Sequence, residues 1–165
     1  MDRAEQDIFL SAEYAEANRY MDNANDTLLK ARKDGKHYID RKYVKSACGT
    51  AYSGVLVALD AWFAVKGIPQ PPKKQRKSIG YYMSNISRID KKLADDLDAA
   101  YKVLHLDGYY DGMNNVKILA GGFEVAYDII ERIKPENLVE VKETRGQGFK
   151  RVLNNLLISA AVMFR

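Results

Sequence analysis

Residues 42–66 read KYVKSACGTAYSGVLVALDAWFAVK, and the fold turns on this stretch. Val44, Cys48, Ala51, Val55, Leu59 and Trp62 recur at spacings of three and four, the period of one helix face, and Tyr52, Leu56 and Phe63 widen that face. Only a narrow stripe of Ser46, Thr50, Ser53 and Asp60 is polar. The segment therefore reads as a central helix buried on nearly every side. Gly49, Ser53, Gly54, Ala58 and Ala61 carry little side chain, so neighbouring helices can approach its backbone closely.

Moving outward, Asp40 is placed to cap this helix, its carboxylate accepting from the first free backbone N–H groups. Upstream, Leu10, Tyr14, Ala17, Met21, Ala24, Leu28 and Ala31 form the seam of a long amphipathic helix over Ala4 to Lys33, stopped by Asp34-Gly35. Downstream, the central helix stops at Gly67. Ile68-Pro69-Gln70-Pro71-Pro72 runs extended into the basic loop Lys73, Lys74, Arg76 and Lys77. Ser78 caps a third helix with Ile79, Tyr82, Met83 and Ile86. A further segment from Lys91 to Leu106 aligns Leu93, Leu97, Tyr101 and Leu104. Its join to the third helix, between Ser87 and Asp90, is either a kink or a short break. Asp107-Gly108 is expected to end it, leaving Tyr109-Tyr110-Asp111-Gly112 as a turn.

A helix over Asn115 to Lys134 then points Val116, Leu119, Phe123, Tyr127 and Ile130 inward, with Pro135 as its stop. Gly121-Gly122 inside it costs ~1 kcal/mol per glycine relative to alanine, so a close helix crossing is expected there. In the remaining residues, 136–165, a loop at Arg145-Gly146-Gln147-Gly148 precedes Phe149, Leu153, Leu156, Ala160 and Met163 at helical spacing. The expectation is an all-α, up-and-down bundle of four to five helices over 1–135, followed by a C-terminal loop and helix over 136–165.

At 165 residues one domain is expected, and 47% hydrophobic with 29% charged residues is ordinary for a folded chain. A net charge of +4 permits contact with nucleic acid or an acidic partner without demanding it. The one cysteine, Cys48, lies in the most apolar helix, where a buried thiol in a reducing compartment is expected. The N-terminus MDRAEQDIFL lacks the apolar core of a signal peptide, and no apolar run approaches the ~20 residues of a membrane span. A cytoplasmic protein off the membrane is expected. Two histidines and one cysteine without ligand spacing argue against zinc, and neither a phosphate-binding loop nor a nucleophile elbow is present. No cofactor is expected.

In an up-and-down bundle the loops before and after the central helix lie ~35 Å apart. Lys30, Arg32, Lys33, Lys36, Arg41, Lys42 and Lys45 then gather at one pole, and the basic loop sits at the other. If the later helix returns, His105, Tyr109 and Tyr110 join His37 and Tyr38 at the first pole. Arg32 and His37, separated by four residues, have the chemistry to bind and cleave a phosphodiester, one stabilising charge and the other moving a proton. Solvated surface groups are the plainer reading. His105, near a helix C-terminus, is favoured as imidazolium by exposed carbonyls, or bonds a backbone group. Tyr109 and Tyr110 suit base stacking or packing onto the core. Asp60, alone on an apolar helix, calls for a partner such as Arg76 or Arg88.

The stretch ACGTAYSGVLVALDAWFAVKGIPQPPKK (47–74), with LHLDGYYDG (104–112) and GGFEVAYDIIERI (121–133), resembles the HEPN superfamily of helical bundles. The span from Tyr14 to Pro135 is similar to an uncharacterised bacterial family of short HEPN-like proteins. The resemblance implies a four- or five-helix bundle, frequently dimeric and often paired with a nucleotidyltransferase. It also implies ribonuclease activity where an Arg-x(4–6)-His motif stands near the start of a late helix. Only His105 matches that position, and Asp98 to Tyr101 supply no arginine; Arg32 and His37 have the spacing but lie in the first interhelical loop. The expected function is a non-enzymatic binding or interaction module, acting as a homodimer or with a protein partner. The alternative is an RNA-binding or RNA-cleaving protein using Arg32, His37, His105, Tyr109 and Tyr110. A small nucleotide in a groove between helices is a third reading.

Overall fold

Asp2 opens the first helix, α1 (Arg3–Leu29), by a reciprocal cap: its carboxylate accepts from the Glu5 N–H and Glu5 accepts from its own, each at 2.9 Å. The computed structural model describes residues 2–72 and 75–139. The expected C-terminal helix of 149–163 and the basic-loop residues Lys73 and Lys74 lie outside the described residues. α1 buries Ala17, Met21 and Ala24 and stops four residues short of Lys33. Arg32 takes a left-handed φ of 49°, and what was expected as the last turn and a loop is instead a small antiparallel hairpin, β1 (Lys33–Asp34) and β2 (His37–Tyr38), turning at Gly35.

α2 (Arg41–Val65) runs as expected, with the Asp40 carboxylate accepting from Lys42 N at 2.9 Å and Gly67 in the left-handed conformation just past its end. Val44, Cys48, Ala51, Val55 and Phe63 are fully buried. The close approach that its small residues permit occurs at Gly54, where a Cβ would come within 3.0 Å of Tyr20 Cβ and 3.1 Å of the Ala17 carbonyl. α1 packs along α2, which also meets the two later long helices. By length and composition α2 would serve as a membrane span, with a mean hydropathy of 1.4 over its best window, contrary to the expectation that no run would qualify. Its hydropathy has a plainer cause here, because it is the core helix of the bundle.

The join near Ser87 is a break rather than a kink. Ser78 caps α3 (Ile79–Ile86), and Asp90 caps a separate helix, α4 (Lys91–Ala100), by accepting from Leu93 N at 2.9 Å. α4 does not end at Asp107-Gly108. It passes directly into a π-helical segment, Tyr101–Asp111, closed only by Gly112 at φ 68°. Gly108 stays helical because the site faces Cys48, where a Cβ would stand 2.5 Å from the thiol sulfur. α5 (Val116–Glu131), capped by Asn115, ends before Pro135, and its glycine pair divides. A Cβ at Gly122 would meet Val103 at 2.5 Å, giving the expected close crossing, whereas Gly121 has no such neighbour within 4 Å.

The architecture is thus an all-α bundle with one two-stranded hairpin among the described residues. Asp60 is paired, but not with an arginine: Lys77 Nζ lies at 2.8 Å and the Tyr82 hydroxyl donates to it at 2.8 Å. The loop conformation brings Lys77, not Arg76, over α2.

Candidate functional site

The π-helical segment carries aromatic residues at positions 101, 105, 109 and 110, a spacing that sets their rings on one side of the helix. Tyr101 and His105 stack with centroids 5.2 Å apart, and His105 and Tyr109 stack at 5.9 Å. Tyr110 meets His105 edge-on at 5.0 Å and Tyr109 at 5.0 Å. From α2, Tyr52 closes on His105 at 4.8 Å. Five rings therefore form one continuous ladder, and each such contact contributes ~0.5–1.5 kcal/mol beyond burial. Gly49 makes the ladder possible, since a Cβ there would come within 2.9 Å of the Tyr109 ring.

The ladder is graded from inside to outside. Tyr52 is buried, His105 is partly covered, and Tyr109 and Tyr110 are 44% and 60% exposed. Burial pushes the Tyr52 hydroxyl up to about 12 and lowers the His105 imidazole below its usual range. His105 does not sit at a helix C-terminus as expected: the helix runs on past it, and burial works against the charged ring. Lys45 of α2 donates to the Tyr110 carbonyl at 2.8 Å and ties the open end of the ladder to the central helix.

The hairpin residues of the expected pole are elsewhere in the chemistry. Tyr38 is 6% exposed, its N–H bonding the Asn114 carbonyl at 2.8 Å while Asn114 Nδ2 bonds its carbonyl at 2.9 Å. It is a structural residue and not part of an open binding pole. His37 bridges Asn115 through the backbone, and the Val116 N–H bonds the Lys36 carbonyl at 2.9 Å. The hairpin is a clasp on the chain entering α5. Among the described residues, no hydrogen bond, ion pair or ring contact joins Arg32 or His37 to His105; the hairpin forms a clasp and His105 a ladder.

Of the basic loop, Lys77 is engaged by Asp60 and Arg76 is exposed. Among the described residues no group of three or more His, Cys, Asp or Glu is placed to hold a metal ion. Tyr52, Tyr101 and Gly49 were missed as site residues, whereas Lys45 is among the basic residues expected at the first pole. The fourfold spacing of Tyr101, His105 and Tyr109 was the available signal, hidden by reading Asp107-Gly108 as a helix stop.

Residues 12–135 match the family model described as a domain of unknown function, DUF5618. A solved structure of a protein of unknown function from Dyadobacter fermentans is similar at 37% identity, with a TM-score of 0.67, covering 76% of this chain and 95% of that one. No protein among the curated ones matches the chain.

Proposed function

The chain belongs to the DUF5618 family, and we propose that it is a non-catalytic binding module that pairs with a second copy of itself through the aromatic ladder. The observation that carries this reading is the pair Tyr109 and Tyr110, two large exposed rings held on a rigid, fully helical support. Exposed aromatics on a pre-ordered frame lose little conformational entropy on binding and supply the central anchors of protein interfaces. An extended π-helical stretch is rare, and such segments are frequently found at functional sites.

Lys45 reaches the Tyr110 carbonyl, and the segment that carries the rings has charges of both signs along it, Lys102 with Asp98, Asp107 and Asp111. Lys102 and Asp98 already pair at 2.6 Å. A mixed border suits a patch that meets its own copy about a two-fold axis. It suits a phosphate backbone poorly, since nucleic-acid sites gather one sign of charge. Cleavage is disfavoured because, among the described residues, the contacts of His105 are with the rings of Tyr52, Tyr101, Tyr109 and Tyr110 and include no arginine. On this reading the chain is a non-catalytic relative of HEPN bundles working in a reducing cytoplasm, where Cys48 stays a thiol.

The reading is tested by incubating the protein with labelled structured and single-stranded RNA at low and high salt. Uncut RNA and no salt-sensitive binding are expected. Cleavage that disappears in His105→Ala would overturn the non-catalytic assignment.

A further inference from the structure

The end of the bundle where α1 stops and α2 and α5 begin carries the clasp, and its charge is one-sided. Residues 30–45 hold seven lysines and arginines against Asp34 and Asp40, and Lys117 joins them from the first turn of α5. With Asp26, Asp107 and Asp111 of the adjoining helix ends counted as well, eight cations stand against five carboxylates. None of the eight is ion-paired among the described residues, where the ion pairs engage other cations. We infer that this end docks on an anionic lipid bilayer, with the hairpin tip as the leading contact. The inference does not rest on the pairing through the ladder, and docking of this kind needs no membrane-spanning helix.

Two large aliphatic residues stand among those cations. Leu29, beside Lys30, is 76% exposed, and Ile39, two residues before Arg41, is 55% exposed. Backbone bonds fix both to the same turn: the Arg32 N–H reaches the Leu29 carbonyl at 3.4 Å, and the Ile39 N–H is shared between the Ala31 and Arg32 carbonyls at 3.2 Å each. Residues 32–37 are exposed without a break, so the hairpin tip projects from a fixed base. A projecting tip suits a broad surface rather than an enclosed ligand. Anionic headgroups attract the cations, about fivefold in affinity for each lysine or arginine brought near them, and aliphatic side chains enter the boundary between headgroups and acyl chains. A nucleic-acid backbone would attract the same charges but gives Leu29 and Ile39 nothing to enter. The tyrosine of the hairpin, Tyr38, is buried and does not offer its face to a base.

The full-length protein is sedimented with vesicles of phosphatidylcholine alone, or with about one-third phosphatidylglycerol added. Partition to the anionic vesicles at least about tenfold above the neutral ones, falling with salt, is expected. Lys33→Glu/Lys36→Glu at the exposed tip should weaken that partition by about tenfold or more. Ile39→Ser, which leaves the charge untouched, should weaken it by about fivefold. Both variants should keep the helical circular dichroism of the wild type. Single-stranded RNA at equal phosphate concentration should not displace the protein from the vesicles. Equal partition to the two kinds of vesicle, or wild-type partition by either variant, overturns the inference. Displacement by the RNA overturns it as well and assigns the surface to nucleic acid.

Discussion

Gly121 and Gly122 are neighbours on α5 with opposite surroundings, and their substitutions should move stability in opposite directions. Gly122→Ala drives a methyl into Val103 and Leu104 and should cost ~1–3 kcal/mol net of the helix propensity it gains. Gly121→Ala meets nothing and should gain up to ~1 kcal/mol, both read from urea unfolding. Cys48 is fully buried and its thiol is pushed up to about 12, so alkylation should require opening of the bundle and its rate should track global stability. For His105 the sign follows from burial. Its folded value lies below the ordinary 6.5, so between the two the unfolded chain binds more protons than the folded one. Stability should therefore fall as pH drops from 6.5 towards the folded value, and His105→Gln should remove that part of the slope.

At the scale of elements, the π-helical segment rests on glycines rather than on propensity. Gly108→Ala would place a methyl 2.5 Å from Cys48 Sγ and should destabilise by ~2 kcal/mol or more. Cys48→Ala in the same molecule should recover part of that loss, since the sulfur is the nearest obstacle, and a double-mutant cycle would read the coupling as ~1 kcal/mol. A simply additive pair would mean that the segment does not depend on this contact. The long helices, their caps at Asp40 and Ser78, and the close crossing at Gly122 were legible in the sequence, because periodicity and capping are local signals. Asp107-Gly108 misled for a local reason too: glycine after an acidic residue is a usual helix end, and only packing against Cys48 reveals why the helix continues. The clasp of Lys33–Asp34 on His37–Tyr38 left no alternating pattern to read. Its strands are two residues long, and Tyr38 is buried by a partner, Asn114, far along the chain. For Asp60 the need for a cation was readable, but the choice of Lys77 depends on the path of the loop.

For the whole molecule, the ladder divides the aromatic residues between inner support and outer contact. Tyr52 and Tyr101 brace His105, while Tyr109 and Tyr110 reach solvent beside Lys45 and Asp111. Removing Tyr110 should leave the bundle folded, because the ring is 60% exposed and Lys45 bonds the carbonyl rather than the side chain. Its loss should act on association instead, as truncation of an interface anchor commonly costs ~2 kcal/mol or more. Sedimentation equilibrium of the wild type and Tyr110→Ser at micromolar concentration tests the central claim most directly. The account predicts a dimer for the wild type and a monomer with unchanged helical circular dichroism for the variant. A monomeric wild type, or a variant that remains dimeric, would contradict it.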